Sequence, residues 1–282
     1  LRGKGQQPHL LAMSATPIPR TLALTLYGDL EISSIPELPS GRQPIQTLYV
    51  PRESWDRAEK FVIAQVQEGR QVFVVCPLIE ESESIQAKAA TIEYERLRTG
   101  SLADLNVGLL HGRMPLREKQ AVMDSFRDGS LDVLVATPVI EVGIDVPNAA
   151  VMLIQGADRF GLSQLHQLRG RVGRGPHKSY CLLLADEPSD EARERLEKLV
   201  KNSDGFDIAE ADLQLRGPGD FFGTRQSGLP TLRVARLSDR DLLAEAKDEA
   251  RRMVDGKSEV LDKGNLAETV RRYIEQVVEE VG

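Results

Sequence analysis

The sequence predicts an α/β fold in which a mostly parallel sheet is covered by helices on both faces. Two observations lead to this prediction. Short runs rich in Val, Ile and Leu recur along the chain, and longer stretches with an amphipathic, helical pattern separate them. Strands of that composition that alternate with helices are typical of parallel sheets, because each parallel strand is reached by a crossover and is buried on both faces.

This alternation starts near residue 46 and continues to about residue 187. The predicted strands are Thr47–Val50, Val72–Cys76, Asn106–Leu110, Leu131–Ala136, Ala150–Ile154 and Tyr180–Leu184. The predicted helices are Glu53–Glu68, Ser82–Arg98, Leu116–Asp128, Gly161–Gly170 and Ser189–Lys201.

Chemically unusual residues fall in the loops that directly follow three of these strands. These loops span residues 77–83, 111–114 and 137–145. In sheets of this class, ligands bind beyond the carboxyl ends of the strands, where such loops meet. The sequence therefore predicts a functional edge there.

The two flanks of the alternating region have a different character. Residues 10–19 begin as a short apolar strand, and prolines and glycine between 36 and 44 indicate an irregular connection. After residue 185, predicted helices lead to a glycine-rich loop, which indicates a helical hairpin with a projecting loop. The predicted helices of this part are Asp207–Leu215, Asp239–Asp255 and Leu266–Val281.

We therefore divide the chain into four parts at the sequence level. Residues 1–45 form a leading segment that ends in an irregular connection, and residues 46–187 form the α/β lobe. Residues 188–237 form the hairpin and loop, and residues 238–282 form a helical tail. With 282 residues, the chain is long enough for one large domain or two small ones.

Composition limits the class of protein. The formal net charge of −7 argues against a protein that simply coats nucleic acid, although a local basic groove is compatible with it. No apolar run is long enough to span a bilayer, and the polar first residues contain no signal peptide. Because the chain does not begin with Met, we expect it to be a fragment or a processed chain.

The two cysteines, Cys76 and Cys181, both lie in apolar runs. This placement predicts buried thiols on strands and a reducing compartment rather than a disulfide. Neither has a Cys or His neighbour at metal-ligand spacing, and the four histidines form no ligand pattern. We therefore predict no metal site within the chain.

The most unusual stretch is 164–175, in which Arg169, Arg171 and Arg174 are interleaved with three glycines. Glycine lets the backbone approach a ligand closely, and arginine is a planar, permanently charged fork that matches phosphate oxygens. The pattern indicates a place where a polyphosphate is bound or its transfer is assisted. A solvated basic turn is the alternative on this stretch alone.

Two other stretches place hydroxyls beside strand ends. A buried strand ends at Thr137, and the following loop offers Glu141, a glycine and Asp145. Such groups can hold a phosphate or a ribose hydroxyl, although this stretch alone favours an ordinary strand and loop with Thr and Asp as capping residues. Ser14 and Thr16, on a strand-to-helix turn, either cap the helix or relay between two ligand sites.

A glycine-rich loop follows at 217–228. Arg216 directly precedes it, and Arg225 and Gln226 lie within it. Its spacing is G-x-G-x-x-x-G with Pro218 inside, which departs from the dinucleotide-binding fingerprint and argues against an oxidoreductase. A nucleic-acid contact suits the loop better, and a glycine-rich linker is the alternative.

The chain contains no G-x-x-x-x-G-K-[ST] motif. Without this Walker A loop, nothing in the sequence obviously cradles β- and γ-phosphates or Mg²⁺. If the arginines serve phosphoryl transfer, they serve a site that another segment completes, as arginine fingers do.

These stretches occur together and in order, and the set resembles the second motor domain of a superfamily 2 helicase. Residues 13–20 resemble motif III, residues 72–82 motif IV, residues 136–145 motif V and residues 164–174 motif VI. The set is most similar to the RecG family, bacterial branched-DNA translocases that remodel stalled replication forks and Holliday junctions. Stretches 37–42, 76–82 and 215–228 carry this closer resemblance.

The resemblance implies that residues 1–45 are the end of a first motor lobe with an inter-lobe linker, and that residues 46–187 are the second RecA-like lobe, with a nucleotide site. Arg171 and Arg174 match the motif VI arginines that reach the ATP phosphates, and Gln167 matches the polar position before them. Gly143 and Asp145 match the nucleotide-facing part of motif V.

It also implies roles in DNA contact and coupling. Thr137 matches the threonine of motif V that contacts nucleic acid. Ser14 and Thr16 match the motif that couples hydrolysis to lobe movement. The loop residues that the resemblance and the loop's composition assign to duplex DNA are Arg216, Arg225 and Gln226.

The implied cofactors are ATP and Mg²⁺, and the implied partners are branched or forked duplex DNA and an upstream motor lobe with a wedge domain. The chain begins inside motif III, so we expect this fragment to bind nucleotide weakly and not to hydrolyse it. The implied location is the bacterial cytoplasm, at the nucleoid.

Two alternatives remain, namely the same portion of a transcription-repair coupling factor and a catalytically silent module that binds DNA or protein.

Overall fold

The computed structural model describes residues 43–77, 83–138, 145–212 and 240–255, together with Leu11, Ser33, Ile35 and Glu268. The described residues between 43 and 212 belong to one compact unit, and the helix at 240–254 belongs to a second. The fourfold division made from the sequence stays a prediction.

A six-stranded sheet, parallel throughout, forms the centre of the first unit, as the sequence predicts. In space the strands lie in the order β1-β6-β5-β2-β4-β3. All six predicted strands are confirmed, with their ends shifted by one or two residues. Their bounds are β1 Ile45–Val50, β2 Gln71–Val75, β3 Val107–Leu110, β4 Val133–Ala136, β5 Ala149–Gln155 and β6 Ser179–Leu184.

Helices connect these strands and confirm the predicted alternation. A 3-10 turn at Arg52–Ser54 leads into the first helix, and another lies at Ala157–Arg159. The helices are α1 Trp55–Gln67, α2 Glu83–Thr99, α3 Leu116–Arg127, α4 Leu162–Arg169 and α5 Asp190–Lys201. Residues 205–212, here α6, are helical up to the end of that described range.

The sheet is covered on both faces. Val62 of α1 and Ala90 of α2 belong to one buried cluster with Val72 and Val74 of β2. Successive side chains of a strand point to opposite faces, so Phe73 points to the other side. There it meets Phe126 of α3, with ring centroids 4.9 Å apart. Burial on both faces explains why β2 is apolar at every position after Gln71.

The second unit contributes α7, Arg240–Val254, which confirms the predicted helix at 239–255. The predicted elements at 10–27 lie outside the described residues, apart from Leu11, and so does the helix at 266–281, apart from Glu268. No described helix is both long and apolar enough to cross a membrane.

Both cysteines are buried free thiols, which confirms the prediction from their apolar runs. Burial raises the pKa of each thiol from its ordinary value of 9.0 to about 12, and Glu93 adds to the effect at Cys76. The thiolate is the reactive form, so burial and a raised pKa both suppress reaction.

We therefore expect neither thiol of the native protein to react with an aromatic disulfide reagent at pH 8, and both to react in denaturant. Because the unfolded thiols ionise first, the free energy of unfolding should fall as the pH rises from 9.0 towards 12. Rapid native labelling of one equivalent would contradict the described burial.

Candidate functional site

The carboxyl ends of β2, β4 and β3 lie side by side, because these strands are neighbours in the sheet. Cys76 N donates to the Ala136 carbonyl oxygen at 2.9 Å, and Thr137 N donates to the Leu110 carbonyl oxygen at 3.1 Å. The loops after these strands therefore begin at adjacent points. This is the geometry that the sequence predicts for a functional edge.

Two buried polar atoms at this edge are unpaired. The hydroxyl oxygen of Thr137, a residue only 2% exposed, and Nδ1 of His111 both have no hydrogen-bond partner within the described part of the chain. An unsatisfied buried polar atom costs about 1–3 kcal/mol, so such atoms call for an explanation. Two of them at neighbouring strand ends indicate a place that a polar ligand completes.

The surroundings of His111 favour an anionic ligand. Burial, followed by the charges of Lys119 and Arg113, lowers the pKa of His111, so the imidazole is neutral at neutral pH. The Lys119 ammonium donates to the Gly112 carbonyl oxygen at 2.5 Å, which holds this cation against the loop after β3. The sequence offered no metal or catalytic pattern around His111, and only its position after a strand could have indicated it.

Helix α4 carries the polar residues that precede the arginine-rich turn. Its N-terminus is capped by Gln164, whose Oε1 accepts a hydrogen bond from Gly161 N at 3.2 Å. Leu162, Leu165 and Leu168 are fully buried and fix the helix on the core. Gln167 lies off that apolar face and is half-buried.

The three arginines divide into two groups, which the sequence pattern did not separate. Arg169 is 5% exposed, and its Nη1 donates to the carbonyl oxygens of Leu199 at 2.9 Å and Asn202 at 2.8 Å. Its Nη2 donates to the Ser203 carbonyl oxygen at 3.2 Å and contacts His166 Nδ1 at 2.9 Å. Arg169 is therefore a packing and capping residue, whereas Arg171 and Arg174 are the pair that the resemblance assigns to the ATP phosphates.

A signal for this role is present in the sequence. Arg169 follows Leu162 by seven positions, which in a helix places it on the same apolar face. The last carbonyl groups of a helix have no partner within the helix, and Arg169 supplies donors to those at the end of α5.

Arg171 and Arg174 lie on the turn after α4. Arg171 is half-buried, and its backbone N–H donates to the Leu168 carbonyl oxygen at 3.0 Å. Arg174 is exposed, and its Nε donates to the Gly170 carbonyl oxygen at 3.3 Å. Its Nη1 also forms an ion pair with Asp145 Oδ1 at 3.0 Å. The structure thus brings together two of the predicted site residues, one from the stretch that resembles motif VI and one from the stretch that resembles motif V.

Glycines shape this turn. Gly173 adopts a φ of +78°, and a Cβ there would lie 2.8 Å from Cγ1 of Ile45 in β1. A Cβ on Gly175 would overlap with the carbonyl oxygen of Pro147, just after Asp145. The sequence predicts that these glycines let the backbone approach a ligand closely. In the structure they instead let the turn pack closely against Ile45 and Pro147 of the same chain, which fixes its position.

We expect Gly175→Ala to lower the free energy of unfolding by about 1–3 kcal/mol, because the new methyl group displaces backbone rather than a flexible side chain. Urea unfolding followed by circular dichroism measures the change. The exposed neighbour Lys178 provides the control Lys178→Ala, which should change stability by less than about 0.5 kcal/mol. Equal stability of Gly175→Ala and the native protein would contradict the described contact.

The structure describes some of the predicted site residues and leaves others outside the described ranges. Asp145 and Arg174 are in contact, Gln167 lies on α4 and Arg171 on the turn after it, and Thr137 follows β4 directly. The remaining predicted residues lie outside the described residues, namely Ser14, Thr16, Gly143, Arg216, Arg225 and Gln226.

The exposed guanidinium of Arg174 fits a polyphosphate, because it carries donors that are oriented by Asp145 and by a backbone carbonyl. Within the described ranges, no three side chains of the His, Cys, Asp or Glu type are grouped so that they could hold a metal ion.

An all-parallel sheet with an arginine turn held beside a motif V carboxylate is the architecture of the second RecA-like lobe of a helicase. Residues 54–176 match the helicase conserved C-terminal domain. Residues 202–276 match the family described as ATP-dependent DNA helicase RecG, domain 3, C-terminal.

Relatives and a solved structure agree with both matches. The ATP-dependent DNA helicase RecG of Synechocystis sp. is 52% identical over 90% of this chain and 31% of its own length. That of Bacillus subtilis is 48% identical over 90% of this chain and 37% of its own. A structure of RecG bound to a three-way DNA junction matches 86% of this chain and 31% of that one, with 48% identity and a TM-score of 0.67.

The chain belongs to the RecG family of ATP-dependent DNA helicases. It spans 31% of the length of the Synechocystis relative and 37% of the Bacillus relative.

Proposed function

We propose that this chain is the C-terminal motor portion of a DNA helicase that remodels stalled replication forks and Holliday junctions in recombination and repair. The observation that carries the proposal is the 3.0 Å ion pair between Arg174 and Asp145. It holds a motif VI arginine at the edge of a lobe that has no Walker A loop of its own. Such an arginine serves a nucleotide whose main site lies on another lobe.

ATP, when bound with Mg²⁺ mainly by an upstream lobe, supplies the phosphoryl group that is transferred to water. The guanidinium groups of Arg171 and Arg174 donate to phosphate oxygens and neutralise the charge that develops during transfer. Asp145 orients Arg174, while Gln167 and Gly143 contribute to the same nucleotide-facing surface. The isolated fragment therefore binds nucleotide weakly and is inactive as an ATPase.

DNA is the second ligand in this proposal. The unpaired hydroxyl of Thr137 donates to a backbone phosphate, which satisfies an atom that is otherwise buried without a partner. Arg216, Arg225 and Gln226 contact duplex DNA, and Ser14 and Thr16 couple hydrolysis to lobe movement. The RecG relative bound to a three-way DNA junction supports branched DNA as the substrate.

The partners within the full-length protein are an upstream motor lobe and a wedge domain. The bacterial relatives support a location in the bacterial cytoplasm, where the enzyme acts on nucleoid DNA.

ATP hydrolysis by the full-length protein on forked DNA, linear duplex and no DNA tests the proposal. We expect strong stimulation by the fork and weaker stimulation by linear duplex. Equal rates on both substrates would favour a general duplex translocase such as a coupling factor. An absence of stimulation by any DNA would overturn the motor assignment in favour of a silent binding module.

A further inference from the structure

The arginine turn, residues 170–175, lies at the amino ends of three adjacent strands. β6 lies between β1 and β5 in the sheet, and the chain enters β6 soon after the turn ends. The turn contacts the segments on both sides of β6. Gly173 packs against Ile45 at the start of β1, and Gly175 packs against Pro147, just before β5 begins. The turn is therefore held at two points, one on each side of the strand that follows it.

Arg174 lies between these two contacts. Its neighbours in sequence, Gly173 and Gly175, are both so close to other segments that a Cβ would overlap with them. Gly173 also has a φ of +78°, in the left-handed region that other residues adopt only at a cost. The backbone of Arg174 is thus fixed on both sides, while Asp145 orients its guanidinium. Backbone position and side-chain orientation therefore have separate determinants.

The contact with β1 is made by a side chain. A Cβ on Gly173 would lie 2.8 Å from Cγ1 and 3.1 Å from Cδ1 of Ile45. Ile45 is half-buried and is the first residue of β1. It lies outside every stretch that carries the resemblance to helicases. Because its side chain can be shortened without loss of a backbone hydrogen bond, the size of this contact can be changed on its own.

We propose that Ile45 and Gly173 are positioning residues for ATP hydrolysis. The side chain of Ile45 sets how closely the arginine turn approaches β1, and therefore where the Arg174 guanidinium lies. A displacement of about 1 Å at a reacting group can cost about 10²-fold in rate. Neither residue touches the nucleotide, and both act through Arg174. This inference rests on the proposed function and adds to it the residues that hold its arginine finger in place.

The test compares Gly173→Ala, Ile45→Ala and the double variant in the full-length protein, at saturating ATP and fork DNA. We expect kcat to fall by about 10²-fold in Gly173→Ala and by about tenfold in Ile45→Ala. In the double variant the shortened side chain makes room for the added methyl group, so kcat should rise again to the level of Ile45→Ala. The KM for ATP should stay within about twofold throughout, because Arg174 acts mainly on the transition state.

Two matched controls separate positioning from a general loss of stability. Gly69→Ala introduces alanine at a φ of +81°, where nothing lies within 4 Å of the added Cβ. Ile63→Ala shortens a half-buried isoleucine of α1 that packs against the core. Both controls should lower the melting temperature and leave kcat unchanged. The inference would be overturned if the controls lowered kcat as much as their counterparts, or if the double variant were slower than Gly173→Ala.

Hydrogen exchange without nucleotide tests the position of the turn directly. The amides of Arg171 and Val172 donate within the turn, to the Leu168 carbonyl oxygen at 3.0 Å and the Arg169 carbonyl oxygen at 3.3 Å. We expect exchange at both amides to be about tenfold faster in Gly173→Ala and to return towards the native rate in the double variant. Equal exchange in Gly173→Ala and the native protein would overturn the inference.

Failure of this inference is distinguishable from failure of the proposed function. If Arg174→Ala left hydrolysis unchanged, the assignment of the finger would fail, and the positioning role with it. If Arg174→Ala lowered hydrolysis strongly but Ile45→Ala gave no recovery in Gly173→Ala, the finger would stand and only the positioning role of Ile45 and Gly173 would be lost.

Discussion

Arg174→Ala in the full-length protein is expected to lower fork-stimulated ATP hydrolysis by about 10³-fold or more, because an arginine finger typically contributes 10³–10⁵ in kcat. The structure gives the physical reason. The guanidinium is exposed, and its orientation is set by Asp145 at 3.0 Å and by the Gly170 carbonyl oxygen at 3.3 Å. Because the cation is already oriented, it loses little conformational entropy when it stabilises the charge that develops on the transferred phosphoryl group.

Steady-state hydrolysis at saturating ATP and fork DNA measures this effect as a change in kcat. Arg98→Ala is the matched control, because Arg98 is an exposed arginine whose described contacts are with Glu95 and Tyr94 of its own helix, α2. The control should retain the native rate. A loss of less than about tenfold for Arg174→Ala would contradict the assignment of this residue as a finger.

Phe126→Ala should lower the free energy of unfolding by about 3–5 kcal/mol. Phe126 is completely buried, and its ring lies 4.9 Å from the ring of Phe73. Removing it leaves a cavity between α3 and the centre of the sheet, and the lost transfer free energy adds to the cost of the cavity. Urea unfolding of the chain measures the loss.

Leu116→Ala provides the control on the same helix, since Leu116 is 80% exposed. It should change stability by about 0.5 kcal/mol or less. Similar losses of stability in the two variants would contradict the packing of Phe126 in α3 against Phe73 in β2.

The sequence predicted the sheet well because its signals are local. Val72–Val75 is apolar at each position, and a run of this kind is buried whatever its neighbours are. The same holds for residues 149–154 in β5. The order in which the strands lie in space is not a local property, and no pattern within β1 shows that β6 is its neighbour.

The candidate site could be predicted only in part, for a related reason. The resemblance assigned Arg174 and Asp145 to one nucleotide site, and the structure shows their contact. The separate role of Arg169 depends on carbonyl groups 30 and 33 positions later in the chain, where the backbone of α5 ends. The spacing of seven positions from Leu162 could have placed Arg169 on the apolar face of α4, but no local pattern names the carbonyl groups that it caps.

The position of β6 in the sheet has a consequence for how the chain acquires its structure during synthesis. β6 lies between β1 and β5 and pairs with both, so Ile45 at the start of the sheet finds its partner only at Ser179. A ribosome must therefore release almost the whole lobe before the first strand can be incorporated. Until β6 pairs with it, β5 exposes unpaired backbone groups at the edge of the sheet. Pairing between strands that are far apart in the chain is slow, and the incomplete sheet is prone to aggregation. Chains truncated before Ser179 should keep β5 as an exposed edge strand.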